Sequence, residues 1–381
     1  MLYGVEMNNK RSNEVVLFLM SNAFSDVEIM KTSPYAKVFL AATKYMGAHA
    51  LITHYNTHDI QDTEHISYLR INKSLQSKLL VAPIVEIVKS VIWIKRHKPS
   101  LVIMSGAPIK QNVRFLYRLM LPKQKFALIM ATPSVDKNRL LRLFTNKLLQ
   151  INILFFSTLI ADKYWRHDRL RLPLNKIKIV DPAFHDFGFA SKDFSVLRLV
   201  YVGVLSGRGV ENTIEGLALF LRKNPKVKVT YDIFGRAKKH EIESLRAVIN
   251  KFSIDSVVKL HGFLTQEEAA ELIQTCNIGI AYLPNTSYYG NSSAKTLEYL
   301  IAGLPVLATP SPFKTDFIND STGVMHDDNP QAFAKGLELM YARRFDYKPE
   351  EIRKKHLKYT MDEIVRTQYV PLFRQLIRDK R

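Results

Sequence analysis

Two short stretches of this chain set glycine, hydroxyl and charged side chains at spacings suited to an anion. The first is Tyr201–Gly209, YVGVLSGRG, which runs straight into a helical pattern over Val210–Leu221. A strand that ends in glycines and turns into a helix lets backbone approach a ligand and aims free N–H groups at it. Gly203 and Gly207 are placed for that approach, and Arg208 adds a charged donor. The second stretch is Tyr288–Thr309, YYGNSSAKTLEYLIAGLPVLAT. Gly290, Asn291, Ser292 and Ser293 make a polar loop, one of the serines being the expected N-cap of a helix over Ala294–Ala302, with Gly303 as its stop. Glu298 stands among Leu297, Tyr299, Leu300 and Ile301. A carboxylate in that company pairs with a cation or accepts hydrogen bonds from hydroxyls, and the vicinal hydroxyls of a ribose suit it well. The plain alternatives are a strand–helix turn with an exposed arginine, and a surface glutamate that complements a helix N-terminus.

The elements that must hold these residues follow from periodicity. In the first half, strands are expected at Val15–Met20, His49–His54, Leu101–Met104, Phe126–Ala131, Ile153–Ser157 and Lys178–Val180, with helical patterns such as Tyr35–Met46 and Lys78–Lys95 between them. Asp181–Phe194 has no clear period and reads as a linker. The alternation then restarts. Strands are expected at Leu197–Leu205, Lys228–Phe234, Val257–His261, Ile278–Leu283, Pro305–Ala308 and Gly323–Met325. Helices are expected at Glu211–Arg222, Glu241–Lys251, Thr265–Gln274, Ala294–Ala302, Pro330–Tyr341 and Asp362–Arg378. Strand–helix alternation implies parallel sheets covered on both faces. The fold class is therefore α/β, with two tandem Rossmann-like, doubly wound domains facing across a cleft. The expected domains are 1–185 and 186–361, the second holding both anion-suited stretches. Residues 362–381 should form a helix that packs back on the first domain. Sites are expected at the carboxyl ends of the strands.

Composition narrows the partners. The chain has 381 residues, a size for two to three domains. Its single cysteine, Cys276, excludes an internal disulfide and a cysteine-based zinc site. The polar N-terminus lacks a secretory pattern, and no apolar run approaches the ~20 residues needed to span a bilayer. A cytoplasmic protein is expected. The net charge is +20, which suggests an anionic partner. Residues 1–195 hold 28 basic against 14 acidic side chains, and the stretch Lys110–Lys178 alone holds 15 against 3. Lys110, Arg114 and Arg118 are spaced as one helical stripe, and KNRLLRLFTNKLL at 137–149 mixes Arg139 and Arg142 with leucines. Basic amphipathic helices suit an anionic membrane surface, here the inner face of the cell membrane. The same pattern also fits a core face with a solvated basic edge. Nucleic acid is not expected as a partner, because no recognised binding signature is present.

Residues Leu197–Met325 resemble the donor-binding half of GT-B glycosyltransferases, specifically retaining glycosyltransferase family 4. The resemblance rests on four blocks in the family's order: YVGVLSGRG, YDIFGRAKKHEIESL, LHGFLTQEEAAELIQTCNIGIAYLP and SSAKTLEYLIAGLPVLAT. It implies a nucleotide-sugar donor bound by domain 186–361 and a glycan or lipid-linked acceptor bound by domain 1–185, the membrane-facing one. It sets Arg208 on the donor diphosphate, Ser293, Lys295 and Thr296 near the diphosphate and donor sugar, and Glu298 on the ribose. Ser292 shares that loop. Gly262 and Phe263 begin the loop near the nucleobase, and Arg236 and Lys238 are further basic candidates.

This chain departs from the family at several points. Asn291 stands where members often carry a glutamate, seven residues before the ribose glutamate. Val204 stands where some carry an arginine, and NAFSDVEIMKTSP replaces the usual glycine-rich first loop. Arg208, Lys295 and Asn291 are the expected catalytic residues. Asp26, Lys31 and Thr132, in loops after strands, are candidates for the acceptor side. No Asp-x-Asp occurs, so the expected reaction uses no metal ion or other cofactor, and basic groups with a helix N-terminus carry the leaving charge. The alternatives are a sugar-nucleotide epimerase of the same architecture and a non-catalytic, membrane-associated partner of glycosyltransferases.

Overall fold

The computed structural model describes residues 15–20, 34–54, 62–71, 81–105, 115–130, 143, 147, 158–162, 174–285 and 294–379. They fall into two compact units. One takes in the chain up to Ala183 and again from Met361; the other is Phe184–Thr360.

The first unit is built on β1 (Val15–Met20), β2 (Gly47–His54), β3 (Ile66–Arg70), β4 (Leu101–Ser105), β5 (Phe126–Met130), β6 (Thr158–Asp162) and β7 (Ile177–Val180). Their order in the sheet is β3-β2-β1-β4-β5-β6-β7, with every pairing parallel. The described helices before the linker are α1 (Pro34–Ala42), α2 (Val81–His97) and α3 (Phe115–Met120). In β1 the side chains alternate between two cores. Val16, Phe18 and Met20 join the cluster with Tyr35 and Phe39, while Leu17 joins Ile87, Val91 and Ile94. A strand buried on both faces needs apolar residues at every position, which VVLFLM supplies.

The second unit repeats the plan with β8 (Leu197–Val202), β9 (Val229–Phe234), β10 (Val258–Gly262), β11 (Ile278–Ala281), β12 (Val306–Ala308) and β13 (Gly323–Met325). Their order is β10-β9-β8-β11-β12-β13, again all parallel. Its helices are α4 (Val210–Lys223), α5 (Lys239–Phe252), α6 (Gln266–Thr275), α7 (Ala294–Ile301), α8 (Pro312–Thr315), α9 (Pro330–Ala342) and α10 (Pro349–His356). Thr265 caps α6 in a capping box with Glu268, and Asn329 caps α9 ahead of Pro330.

Several elements differ from those expected. The strand between β5 and β7 is Thr158–Asp162, whereas the expected strand at Ile153–Ser157 lies outside the described residues. The apolar run there continues into Ala161, so hydrophobicity does not place the pairing; the partner Ala127 opposite Thr158 does. The strand β3 and the helix α10 were not expected. The first is a partly buried edge strand of mixed polarity, and the second is short, charged and buries chiefly Pro349, Ile352 and His356. The final helix is not continuous. It runs as α11 (Met361–Ile364), a π-helical turn at Val365–Tyr369, and α12 (Val370–Arg378). Pro371 has no N–H to continue the α-helical ladder, which accounts for the break. This segment sits in the first unit, where Phe373 meets Phe18 edge-on at 5.9 Å and Lys44 pairs with Asp362 at 2.7 Å.

Candidate functional site

In the second unit, strand order reverses between β8 and β11, and the loops at their carboxyl ends bound the crevice there. Glycines open its floor. β8 ends at Gly203 (φ +132°), β9 runs into Gly235 (φ +155°), and β10 ends at Gly262 (φ +73°). The Gly203 N–H donates to Phe234 O at 3.0 Å, and the Gly235 N–H donates to Gly262 O at 2.7 Å. A Cβ on Gly235 would lie 1.5 Å from the Gly203 carbonyl oxygen, so no side chain fits. Gly235 was not among the residues expected from sequence. Its signal is the repeat of a strand ending in glycine at YVG, IFG and LHG.

The loop 203–209 then enters α4. Gly209 (φ +64°) takes the N-cap position, and no side chain caps the helix there. A Cβ on Gly209 would meet Tyr282 at 2.9 Å and Pro284 at 3.1 Å, so this loop lies directly against the one after β11. Arg208 is partly buried, and its backbone N–H donates to Leu205 O at 3.2 Å. Val204, at the position of the missing arginine, is 48% exposed.

Helix α7 brings the second stretch to the same place. Tyr299 seats it. The tyrosine ring occupies the space that Gly279 leaves in β11, where a Cβ would come within 2.3 Å of the ring. Its hydroxyl accepts the Val202 N–H at 2.8 Å. One turn earlier on α7, the Lys295 ammonium lies 3.6 Å from the centre of the Tyr201 ring. A Cβ on Gly203 would be 3.7 Å from that ammonium. Lys295 Nζ is buried and has no hydrogen-bond partner among the described residues. Burial pushes its pKa well below the ordinary 10.5; the nearby charges of Arg208 and Lys314 push the same way, and Glu298 opposes them. A buried ammonium without a hydrogen-bond partner, with Arg208 and Lys314 near it, is a place that suits an anion. The Thr296 hydroxyl is likewise buried without a partner.

Polar residues without a sequence signal also lie next to this crevice. Asn212 Nδ2 donates to the Tyr282 hydroxyl at 2.8 Å, and that hydroxyl donates to Asp328. The other Asp328 oxygen accepts the Asn285 N–H at 2.8 Å. His326 stacks on Tyr282 at 5.8 Å, and burial drops its pKa to about 4, so the ring is neutral. Lys314 is fully buried. Its ammonium donates to Ala281 O and Thr309 O, both at 2.8 Å, which pins the end of β11, and burial lowers its pKa to about 7. Farther along α7, Arg353 donates to Ile301 O at 2.7 Å and forms a two-point pair with Asp186 at 2.9 Å. Nothing in the spacing of Tyr282, Lys314 and Asp328 announces these contacts.

The remaining expected residues divide as follows. Arg208, Lys295, Thr296, Glu298, Gly203 and Gly207 all lie on α7 or on the loop 203–209. At the end of β10, Phe263 is 58% exposed with the Arg236 guanidinium 4.4 Å above its ring. Asn291, Ser292 and Ser293 lie outside the described residues, as do Asp26, Lys31, Thr132, Lys110, Arg114, Arg139 and Arg142. Arg118 is partly buried and donates to Gln124 O at 2.9 Å. Among the described residues, no group of three His, Cys, Asp or Glu side chains is placed to hold a metal, and no helix is long and apolar enough to cross a membrane.

The fold is that of GT-B glycosyltransferases: two units, each a parallel sheet with helices beside it. Residues 197–343 match the family model for glycosyl transferases group 1. A glycosyltransferase from Rickettsia africae ESF-5 is similar in structure, with a TM-score of 0.73 and 13% identity over 96% of this chain and 99% of that one. So is Alr3699/HepE of Anabaena in complex with UDP, with a TM-score of 0.69 and 13% identity over 95% of this chain and all of that one. The lipopolysaccharide outer core galactosyltransferase WaaB in its apo form follows, with a TM-score of 0.64 and 14% identity over 95% and 99% of the two chains. No curated protein matches the chain in sequence.

Proposed function

We propose that the protein transfers a sugar from a nucleoside-diphosphate sugar to a lipid-linked or cell-surface glycan, with retention of configuration and without a metal ion. The observation that carries this reading is the unpaired, buried Lys295 ammonium beside Arg208. It stands where strand order reverses, in the unit that matches glycosyl transferases group 1. Similar structures bound to UDP and UDP-glucose support the nucleotide-sugar donor.

In this reading Arg208, Lys295 and the N-terminus of α4 take the charge of the departing diphosphate. Such groups stabilise a transition state most when they are preorganised and shielded from water. Ser292, Ser293 and Thr296 would hold the phosphates and donor sugar, with Asn291 beside the sugar. Glu298 would accept the ribose hydroxyls, and the exposed Phe263 ring with Gly262 would face the base. The acceptor would sit in the first unit, near Asp26, Lys31 and Thr132. The protein would work at the cytoplasmic face of the cell membrane, for which the basic surplus of residues 1–195 is the support.

A thermal-shift screen of nucleoside diphosphates and nucleotide sugars identifies the donor, because a ligand of the folded state raises stability by mass action. Transfer of label to acceptor lipid, in the presence of a chelator, tests the rest. Absence of any nucleoside-diphosphate binding defeats the donor-site reading, strict dependence on manganese defeats the metal-free mechanism, and an inverted anomer in the product defeats retention.

A further inference from the structure

Helix α2 packs on the first sheet through Ala82, Ile87, Ser90, Val91 and Ile94. Its outer side is not polar. Val81, Ile84, Val88 and Ile92 follow at intervals of three, four and four residues, which puts them on one stripe. They are 44, 50, 40 and 61% exposed. The outward face of a surface helix is normally polar, and a contiguous apolar patch marks an interaction site. Lys95 falls within this arc and Arg96 and Lys89 flank it, all three exposed. The only acidic residue of the helix, Glu86, projects off the arc and is partly buried. On the neighbouring α3, Leu119 and Met120 are also exposed.

We infer that this face of α2 docks on an anionic lipid surface, with the apolar stripe at the acyl boundary and Lys95 and Arg96 on the phosphates. Charge selects the occupant. Apolar residues flanked by cations, with no carboxylate on the arc, complement a bilayer that is negative outside and apolar just beneath. A second copy of the chain fits poorly, because it brings the same cations and no carboxylate on the arc to pair with them. The membrane-borne acceptor proposed above gives the docking its purpose, but the docking is measured without any acceptor.

The test is cosedimentation of the whole chain with vesicles of phosphatidylglycerol and phosphatidylcholine, against phosphatidylcholine alone. Wild-type protein should bind the anionic vesicles, less so at high salt. The double variants Ile84→Ser/Ile92→Ser and Lys95→Glu/Arg96→Glu should each lower the bound fraction about tenfold, with unchanged melting and unchanged nucleoside-diphosphate titration. The inference is overturned by a wild type that ignores anionic vesicles, or by variants that bind as well as the parent. It is also overturned if Ile84→Ser/Ile92→Ser turns a dimer into a monomer, which would make the face an interface between copies. Intact diphosphate binding beside absent vesicle binding sinks the docking alone. The converse sinks the donor-site reading alone.

Discussion

The first sheet reverses its strand order between β1 and β4, the second between β8 and β11. At the first reversal, the Tyr35 hydroxyl from α1 donates to Ile103 O at 2.9 Å, with Leu19 O at 3.2 Å. The hydroxyl finds its acceptor within the fold, and the surrounding Phe18, Phe39 and Ile103 are apolar. At the second, Tyr299 seats its helix by accepting a backbone N–H, and the same helix carries Lys295 over the Tyr201 ring with no hydrogen-bond partner among the described residues. One tyrosine completes a set of hydrogen bonds; the other positions an incomplete one. The two reversals share a topology, but among the described residues only the second holds a buried ammonium without a hydrogen-bond partner. Sites are grafted on a fold by such side chains rather than given by its strand order.

The comparison can be broken most severely at the glycine floor. Gly235→Ala drives a Cβ into the Gly203 carbonyl at a φ of +155° and should cost about 3 kcal/mol or more in denaturant unfolding. A near-neutral result would mean that the strand ends are not packed this way. Next in size, Arg208→Ala and Lys295→Met should each weaken nucleoside-diphosphate binding by roughly 1.5–3 kcal/mol, read by calorimetry. Lys295→Met should at the same time melt no lower than wild type. It removes an unpaired buried charge while keeping most of the side-chain volume, so stability and function part company. A variant that loses stability instead would give Lys295 a structural role.

Tyr35→Phe should cost about 1 kcal/mol of stability through its lost hydrogen bonds and leave diphosphate affinity unchanged, the opposite pattern. The smallest expected effect is a proton. With its pKa depressed in the free protein, Lys295 binds fewer protons folded than unfolded, so it favours folding more as pH rises toward 10.5. A bound diphosphate restores the ammonium. Binding should therefore take up a fraction of a proton and weaken with rising pH across the window below 10.5, seen as a dependence of the binding enthalpy on buffer ionisation. Proton-neutral binding would remove Lys295 from the contact.

Much of the architecture was legible in local pattern. The apolar runs at β1, β8 and β11 and the capped helices α6 and α9 declare themselves because hydrophobic period and capping chemistry act over a few residues. Thr158–Asp162 did not, because a continuous apolar run has no period by which to choose its register. Helix α2 shows the same limit from another side. VAPIVEIVKSVIWI is apolar nearly all round, so nothing in it says which stripe meets the sheet and which is left outside. Charge is visible in sequence, so the basic segments after residue 109 stand out there, whereas exposure is not visible.

Local patterns along the chain suffice for the alternating strands and helices, the glycines at the ends of β8 and β10, and the presence of Arg208, Lys295 and Glu298 in blocks that resemble a donor site. It takes the packed fold to set Lys295 over Tyr201, 94 residues earlier in the chain, and to rest Gly235 on the Gly203 carbonyl. The same packing lets Lys314 pin the end of β11 and leaves four aliphatic residues of α2 facing outward. The physical reason is that a parallel sheet joins strands by long connections. Which side chains meet across them depends on sheet order and on how each helix packs, and neither is encoded within any one segment.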